Sequence, residues 1–341
     1  MSQTDETAGT RVTPYRDELV DRFRWRRQRL TERLPELRGA PYVFLLPFFV
    51  LFAVFLAFPI IYTVYLSFFQ FEGVGGTVLF TIPGIGMQIT SISNLEFVGL
   101  ANYARLLGDG QFHQAMYNTV FILLVQVPLM IAIALSLALA LDASFVKLRG
   151  VFRTTLALPV SANLVAYATV FVLLMQQHGL VNYALGLVGI GPIPWFQSEF
   201  WSRMTVVGAV TWRWTGYNMI ILLAGLQNVP EQLYEAAEID GANRFEKFRY
   251  VTLPQLKPVL LFVAVTSTIG TFKLFSEPLI VSEAGASAEA TRTIVQYIYE
   301  MAFVQFQLGY ASALTWVLIA VVSTLSIFQI KAVGDGGGDD A

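Results

Sequence analysis

The sequence predicts an all-α integral membrane protein with six transmembrane helices. Three observations carry this. The chain is 55% hydrophobic and only 13% charged, against about 25% charged residues in an average soluble domain. Its apolar residues are gathered into long runs, each matching the roughly 20 residues needed to cross a hydrocarbon core. Its basic residues fall almost entirely into alternate connections between those runs, as expected of a chain threaded back and forth through a bilayer with its positive loops inside.

The first run, 42–69, is almost uncharged. It is too long for a signal-peptide core and has no small-x-small cleavage site, so it is expected as an uncleaved first span. Pro47 and Pro59 would kink it. Five more spans follow at 117–141, 154–176, 204–226, 256–276 and 308–330. With the N-terminus inside, the inner segments hold nine arginines between 11 and 38. They also hold Lys147, Arg149, Arg153, Arg244, Lys247, Arg249, Lys257 and Lys331, while the outer ones hold only Arg105 and Arg292. Both termini are therefore expected to be cytoplasmic.

Three regions result: an arginine-rich cytoplasmic segment (1–40), a six-span domain (41–331) and an acidic disordered tail (332–341). In the first, Leu19, Phe23, Leu30, Leu34 and Leu37 would suit a helix lying on the inner membrane surface; a leader that only sets topology is the alternative. Two outer segments are too long to be turns. Within 70–116, β-formers alternate around Pro83-Gly84-Ile85-Gly86, which suggests a hairpin or a loop. Within 177–203, Trp195 and Trp201 suit an interfacial cap.

The composition also excludes chemistry. There are no cysteines and two histidines, so disulfides, thiolate catalysis and the usual metal sites are not expected. No GxxxxGK[ST] phosphate loop, HExxH or Ser/His/Asp grouping is present. Neither an enzymatic activity, a metal, a cofactor nor a nucleic-acid partner is expected. Membrane lipid is the expected surrounding.

The informative stretch joins the fourth and fifth spans. Pro230 and Glu231 suit a helix start, the helix should reach Ile239, and Gly241 can supply a left-handed terminating residue. Ala236 and Ala237 would give this helix a smooth face for another protein. A second short helix, about 243–250, would return the chain to the membrane at Pro254 and Pro258.

This stretch resembles the EAA loop of permeases in binding-protein-dependent ABC importers. The family pattern is Glu-Ala-Ala, three residues, Gly, nine residues, an aliphatic, one residue, then Leu-Pro. Here it reads Glu235-Ala236-Ala237, Gly241, Val251, Leu253-Pro254. The resemblance covers nearly everything after residue 40 and is nearest to the sugar and glycerol-3-phosphate group. Phe97-Val98-Gly99-Leu100-Ala101-Asn102-Tyr103, Leu148-Arg149-Gly150, Ala224-Gly225-Leu226-Gln227 and Gly309-Tyr310-Ala311-Ser312-Ala313 resemble that group's motifs. The turn after the fifth span departs from it, reading Ser282 to Ser287 where the group has a Thr-Gly-Gly-Pro-like sequence.

The resemblance implies a multi-pass permease subunit of the cell membrane that forms the path of a sugar or related carbohydrate. It implies three kinds of partner: separate ATPase subunits, a second permease subunit (a paralogue, giving a heterodimer), and an extracellular solute-binding protein. The 230–241 helix would then be a cytoplasmic coupling helix seated on an ATPase. It further implies a solute path between spans, onto which Tyr217 in the fourth span and Thr266, Gly270 and Lys273 in the fifth are carried over. Arg213 is read either as snorkelling to the interface or as facing protein or water. Trp212 and Trp214 are read as interface packing in preference to a sugar platform. Three rivals stand beside this reading: an importer of a polyamine or phosphate, a secondary transporter, and a membrane enzyme. A secondary transporter would need a midplane carboxylate, whereas Asp142, Glu199 and Glu277 lie near span ends.

Overall fold

In a computed structural model the described residues are 40–72, 78–81, 88–90, 94–143 and 147–334. The arginine-rich segment and residues 335–341 of the tail lie outside them. The chain divides into two compact units, Met1–Tyr62 and Thr63–Ala341.

In the first unit, α1 (Ala40–Phe52) passes through a π-helical turn, Ala53–Ala57, into α2, Phe58–Leu66, whose last residues belong to the second unit. Pro59 has no N–H to give the preceding turn, and a π-bulge is one way a helix absorbs that loss.

The second unit opens with two antiparallel ladders. Strand β1 (Phe69–Glu72) pairs with β4 (Asn94–Phe97), and β2 (Val78–Thr81) pairs with β3 (Gln88–Thr90). The alternating β-formers of 70–116 thus form one ladder inside another, with Pro83-Gly84-Ile85-Gly86 outside the described residues. Helix α3 (Ala101–Gly108) leads to α4 (Gly110–Asp142). Asp109 caps α4, its Oδ1 accepting from the N–H groups of Gln111 and Phe112, while its Oδ2 accepts from the Tyr297 and Tyr310 hydroxyls. Partial burial pushes the Asp109 carboxyl up, but these four hydrogen bonds outweigh it and hold the group below its ordinary value. A depressed carboxylate stabilises the fold above its unfolded pKa of about 3.9, and that contribution is lost as pH falls through the folded value.

The expected third span, 154–176, is not continuous. Helix α5 (Arg149–Ser161) stops, and α6 (Leu164–Met175) restarts on Asn163, whose Oδ1 accepts from Val165 N (3.0 Å) and Ala166 N (3.2 Å). The restart supplies its own N-cap, so two orphan donors are met inside an apolar run. Helix α7 (Leu180–Leu187) follows, and the apolar stretch long enough to cross a membrane here runs Leu164–Leu187.

Helix α8 (Glu199–Gln227), α9 (Glu231–Ile239) and α10 (Arg244–Lys247) come next, then a π-helical turn, Phe248–Thr252, and α11 (Leu253–Phe272). Helices α12 (Ser276–Glu283), α13 (Ala288–Thr291) and α14 (Ile294–Tyr299) precede α15 (Leu308–Gly334).

Among the described residues, five helices are long and apolar enough to cross a membrane: Phe44–Leu66, Gly110–Asp142, Leu164–Leu187, Arg244–Phe272 and Leu308–Ala332. The expected fourth span, 204–226, lies within α8, which is 29 residues long but is not one of the five. The reason is its place in the core. Ser202, Arg203, Thr205, Thr211, Arg213, Thr215 and Asn218 of α8 are all buried, and a helix wrapped by protein can carry polar residues that lipid would reject.

Around α8 the packing is close. Met130, Ala134, Ala138 and Leu141 of α4 meet Met219, Leu222, Leu223 and Leu226 of α8, with Leu256 and Val263 of α11 closing the cluster. Gly216 lies so near α5 that an added Cβ would sit 1.7 Å from the Leu156 carbonyl oxygen. Gly309 is similarly tight against the Phe69 carbonyl, at 1.8 Å.

Candidate functional site

A cavity of about 370 Å³ opens beside this packing, bounded by α4, α8, α11, the start of α6 and the first turn of α12. It is within the size of small-molecule sites, which begin near 300 Å³. The four residues carried over onto the solute path, Tyr217, Thr266, Gly270 and Lys273, all line it. Helix α11 ends at Lys273, whose own N–H donates to the Gly270 carbonyl. Among the described residues, no carboxylate lies within 4.0 Å of the Lys273 ammonium.

Sequence reasoning missed much of the lining. Arg213, left open between snorkelling and an inward role, is buried, at 9% exposed, and lines the cavity. Its Nη2 donates to the Val160 carbonyl (3.3 Å), one of the acceptors orphaned where α5 stops. Its guanidinium lies 4.5 Å over the Tyr167 ring, a cation–π contact strengthened by removal from water. The Tyr167 hydroxyl donates to Glu277 Oε1 (2.8 Å), and Glu277 is itself buried and lines the cavity. One polar chain thus ties the broken α5–α6 segment to α8 and α12. The signal in the sequence was three polar residues in apolar surroundings; their partners, 46 to 110 positions apart, were not readable.

Gln126 and Thr271 also line the cavity and bond across it, Thr271 Oγ1 donating to Gln126 Oε1 (3.0 Å). Asn118 joins three segments. Its Nδ2 donates to the carbonyls of Glu289 and Arg292, and its Oδ1 accepts from Arg203 Nε. Asn163 caps α6, and Asn218, which lines the cavity, donates to Met130 Sδ on α4 and to the Trp214 carbonyl.

The second region of interest is the connection from α8 to α11. Helix α9 ends in a Schellman turn: Ala242 N donates to the Ala237 carbonyl, Gly241 N to that of Glu238, and Gly241 takes φ +79°. Asn243 then caps α10 in a reciprocal box with Glu246. The Tyr234 and Thr252 hydroxyls, 3.0 Å apart, pin α9 to the base of α11. A Lys247–Glu238 ion pair at 3.0 Å adds to this on an exposed face, where such pairs contribute about 0–1 kcal/mol. Glu235 and Ala236 are exposed and Ala237 is half-buried; Leu253 and Pro254 form the first turn of α11. Ile239, Phe245 and Tyr250 are also strongly exposed. The connection is therefore a folded helix–turn–helix with three large apolar side chains on its outer surface.

Comparison with known proteins bears directly on this arrangement. Residues 119–333, which include the cavity and the α8–α11 connection, match the family of binding-protein-dependent transport system inner membrane components. The chain is 39% identical over 296 residues to the lactose transport system permease protein of Rhizobium radiobacter, covering 85% of this chain and 93% of that one. It is 34% identical over 310 residues to the arabinooligosaccharides transport system permease protein of Bacillus subtilis, covering 89% and 91%. In fold it resembles a chain of a bacterial alginate ABC transporter, solved with its alginate pentasaccharide-bound periplasmic protein. That match has a TM-score of 0.67 at 21% identity, over 84% of this chain and 91% of that one. With its apolar helices, its extent of match and these relatives, this chain belongs to the binding-protein-dependent inner membrane components, the multi-pass permease subunits of ABC importers.

Proposed function

We propose that this chain forms half of the membrane path of an ATP-powered importer of carbohydrate. The observation that carries the proposal is the placement of one cavity at the two helices that flank one exposed helix–turn–helix. Tyr217 on α8 and Thr266, Gly270 and Lys273 on α11 line the cavity, and α9 lies in the connection between those helices. A displacement of α9 by a partner would be passed to both walls of the cavity. The carbohydrate class is supported by the names of the relatives, which are permeases for lactose and arabinooligosaccharides.

In this reading α8 is the fourth of six spans, and α9 is a coupling helix on the cytoplasmic side. Separate ATPase subunits supply the hydrolysis, a paralogous second permease completes the path, and an external binding protein delivers the solute. Glu235 makes a polar contact with the ATPase, Ala236 and Ala237 permit its close approach, Gly241 sets the turn, and Leu253-Pro254 starts the return to the membrane.

Two expected outcomes test it. Tyr217→Ala and Lys273→Met should each lower solute uptake several-fold while the subunits still copurify; wild-type uptake by both would move the path elsewhere. For orientation, single cysteines at Ser287 and Asn243 can be labelled without interference from native thiols, since this chain has none. An impermeant thiol reagent outside whole cells should modify the first and spare the second. The reverse pattern would place α9 on the wrong side for an ATPase.

A further inference from the structure

The cavity joins an aromatic wall on α8 to polar side chains of α11 and α12. Trp214 and Tyr217, one turn apart on α8, meet edge to face with ring centroids 5.9 Å apart. Both line the cavity and both are open, at 37% and 46% exposed. The neighbouring Trp212 differs. It stacks on Tyr167 at 6.1 Å and packs on Phe171, and it does not line the cavity. The indole N–H groups of Trp195 and Trp316 donate to Asn182 and Thr63; those of Trp201, Trp212 and Trp214 have no acceptor among the described residues, and of these three only Trp214 lines the cavity. Thr266, Ser267, Lys273 and Glu277 share the same cavity.

We propose that Trp214 is a specificity-determining contact that stacks on the ring of a cyclic sugar. The inference rests on the carbohydrate reading of this cavity. An indole has an electron-rich face and one N–H donor at its edge. A pyranose or furanose has the complementary surface: a patch of ring C–H groups, weakly positive, bordered by hydroxyls. A polyamine, a free phosphate or an open-chain polyol has no such ring face to offer. The hydroxyl border would meet the ammonium of Lys273 and the hydroxyls of Thr266 and Ser267. Trp214 is thus a contact to solute, whereas Trp212 packs the helices.

The test uses the complete transporter, purified with its partner subunits and binding protein and reconstituted into vesicles. Uptake of radiolabelled lactose, arabinobiose and maltose is measured first, and the best transported sugar is carried forward. Trp214→Phe should retain most of the maximal uptake rate, because a ring face remains. Trp214→Leu, apolar but without a ring, should lower it about tenfold with copurification unchanged. If Trp214→Leu transports like wild type while Tyr217→Ala is impaired, the inference fails and the cavity reading stands. If both transport like wild type, or none of the three sugars is taken up, the cavity reading fails with it. Equal loss in Trp214→Phe and Trp214→Leu would also overturn the stacking role. Should Trp214→Leu fail to assemble, Trp214→Cys gives a second readout. A small cationic methanethiosulfonate should label it, and the transported sugar should slow that labelling. Absent labelling, or labelling that sugar leaves unchanged, would contradict the proposal.

Discussion

Gly216→Ala is expected to destabilise the protein, although helix propensity alone predicts the opposite. Alanine is favoured over glycine within a helix by about 1 kcal/mol, and Gly216 lies inside α8. Its contact with α5 reverses the sign. A Cβ there would sit 1.7 Å from the Leu156 carbonyl oxygen and 2.4 Å from its carbon. Both atoms are backbone, so no side chain can swing aside, and α5 must move away by more than an ångström. Overpacking of this kind costs about 1–3 kcal/mol, sometimes more. The displacement would also pull Val160 from the Arg213 guanidinium and disturb the cavity wall at Leu164. The expected result is a lower thermal midpoint and reduced yield of the assembled complex in detergent. Gly186→Ala in α7, where an added Cβ meets nothing within 4 Å, is the matched control and should be neutral or mildly stabilising. If the two variants behaved alike, the close crossing of α5 and α8 would not exist as described.

The parts of the structure legible in the sequence were those written in local signals. Gly241 takes positive φ at the end of α9, where a turn to α10 is needed, and a Pro-Glu start with a glycine stop is readable in nine or ten residues. Tyr217, Thr266, Gly270 and Lys273 share one cavity because a family motif gave the anchor and helical periodicity the spacing. What stayed hidden depends on which distant residue meets which. The break in the third span could not be inferred from Pro159 alone, because membrane helices tolerate proline where neighbours satisfy the freed carbonyls. At the break itself the Val160 carbonyl is met by Arg213, 53 residues away. Trp212 and Trp214 read alike in the sequence. One packs on Tyr167 and the other faces the cavity, since residues two apart on a helix point to different sides. Residues 204–226 were legible as a long, largely apolar helix, but the partners of the polar residues α8 buries, among them Asn118 for Arg203 and Val160 for Arg213, were not.

The second large effect is expected at the α8–α11 connection. Gly241→Val should uncouple transport while leaving the membrane helices intact. Gly241 sits at φ +79° with open space around its Cβ position, so the substitution meets no clash, only the backbone conflict that a β-branched residue has with positive φ. Relief would unwind the Schellman turn and swing α10 away from α9. Ala237→Phe attacks the same surface by a different route, placing a ring where the proposed ATPase must approach. Because neither residue lies in an apolar span, both variants should insert and bind solute-loaded binding protein. Bound ATPase should fall, and stimulation of ATP hydrolysis by binding protein should drop by tenfold or more, the loss of roughly 1.4 kcal/mol or more of coupling. Full ATPase association and full stimulation in both variants would show that α9 is not the coupling element.

The central claim is that this chain moves carbohydrate with energy delivered by ATPase partners. Vesicles holding the complete complex, with binding protein and sugar outside, test it directly. One set is loaded with ATP and magnesium; the other is depleted of nucleotide and given imposed proton and sodium gradients. The account predicts sugar accumulation in the first set and none above leakage in the second. Accumulation driven by either gradient without ATP, and no accumulation with ATP, would contradict it and make the protein a secondary transporter.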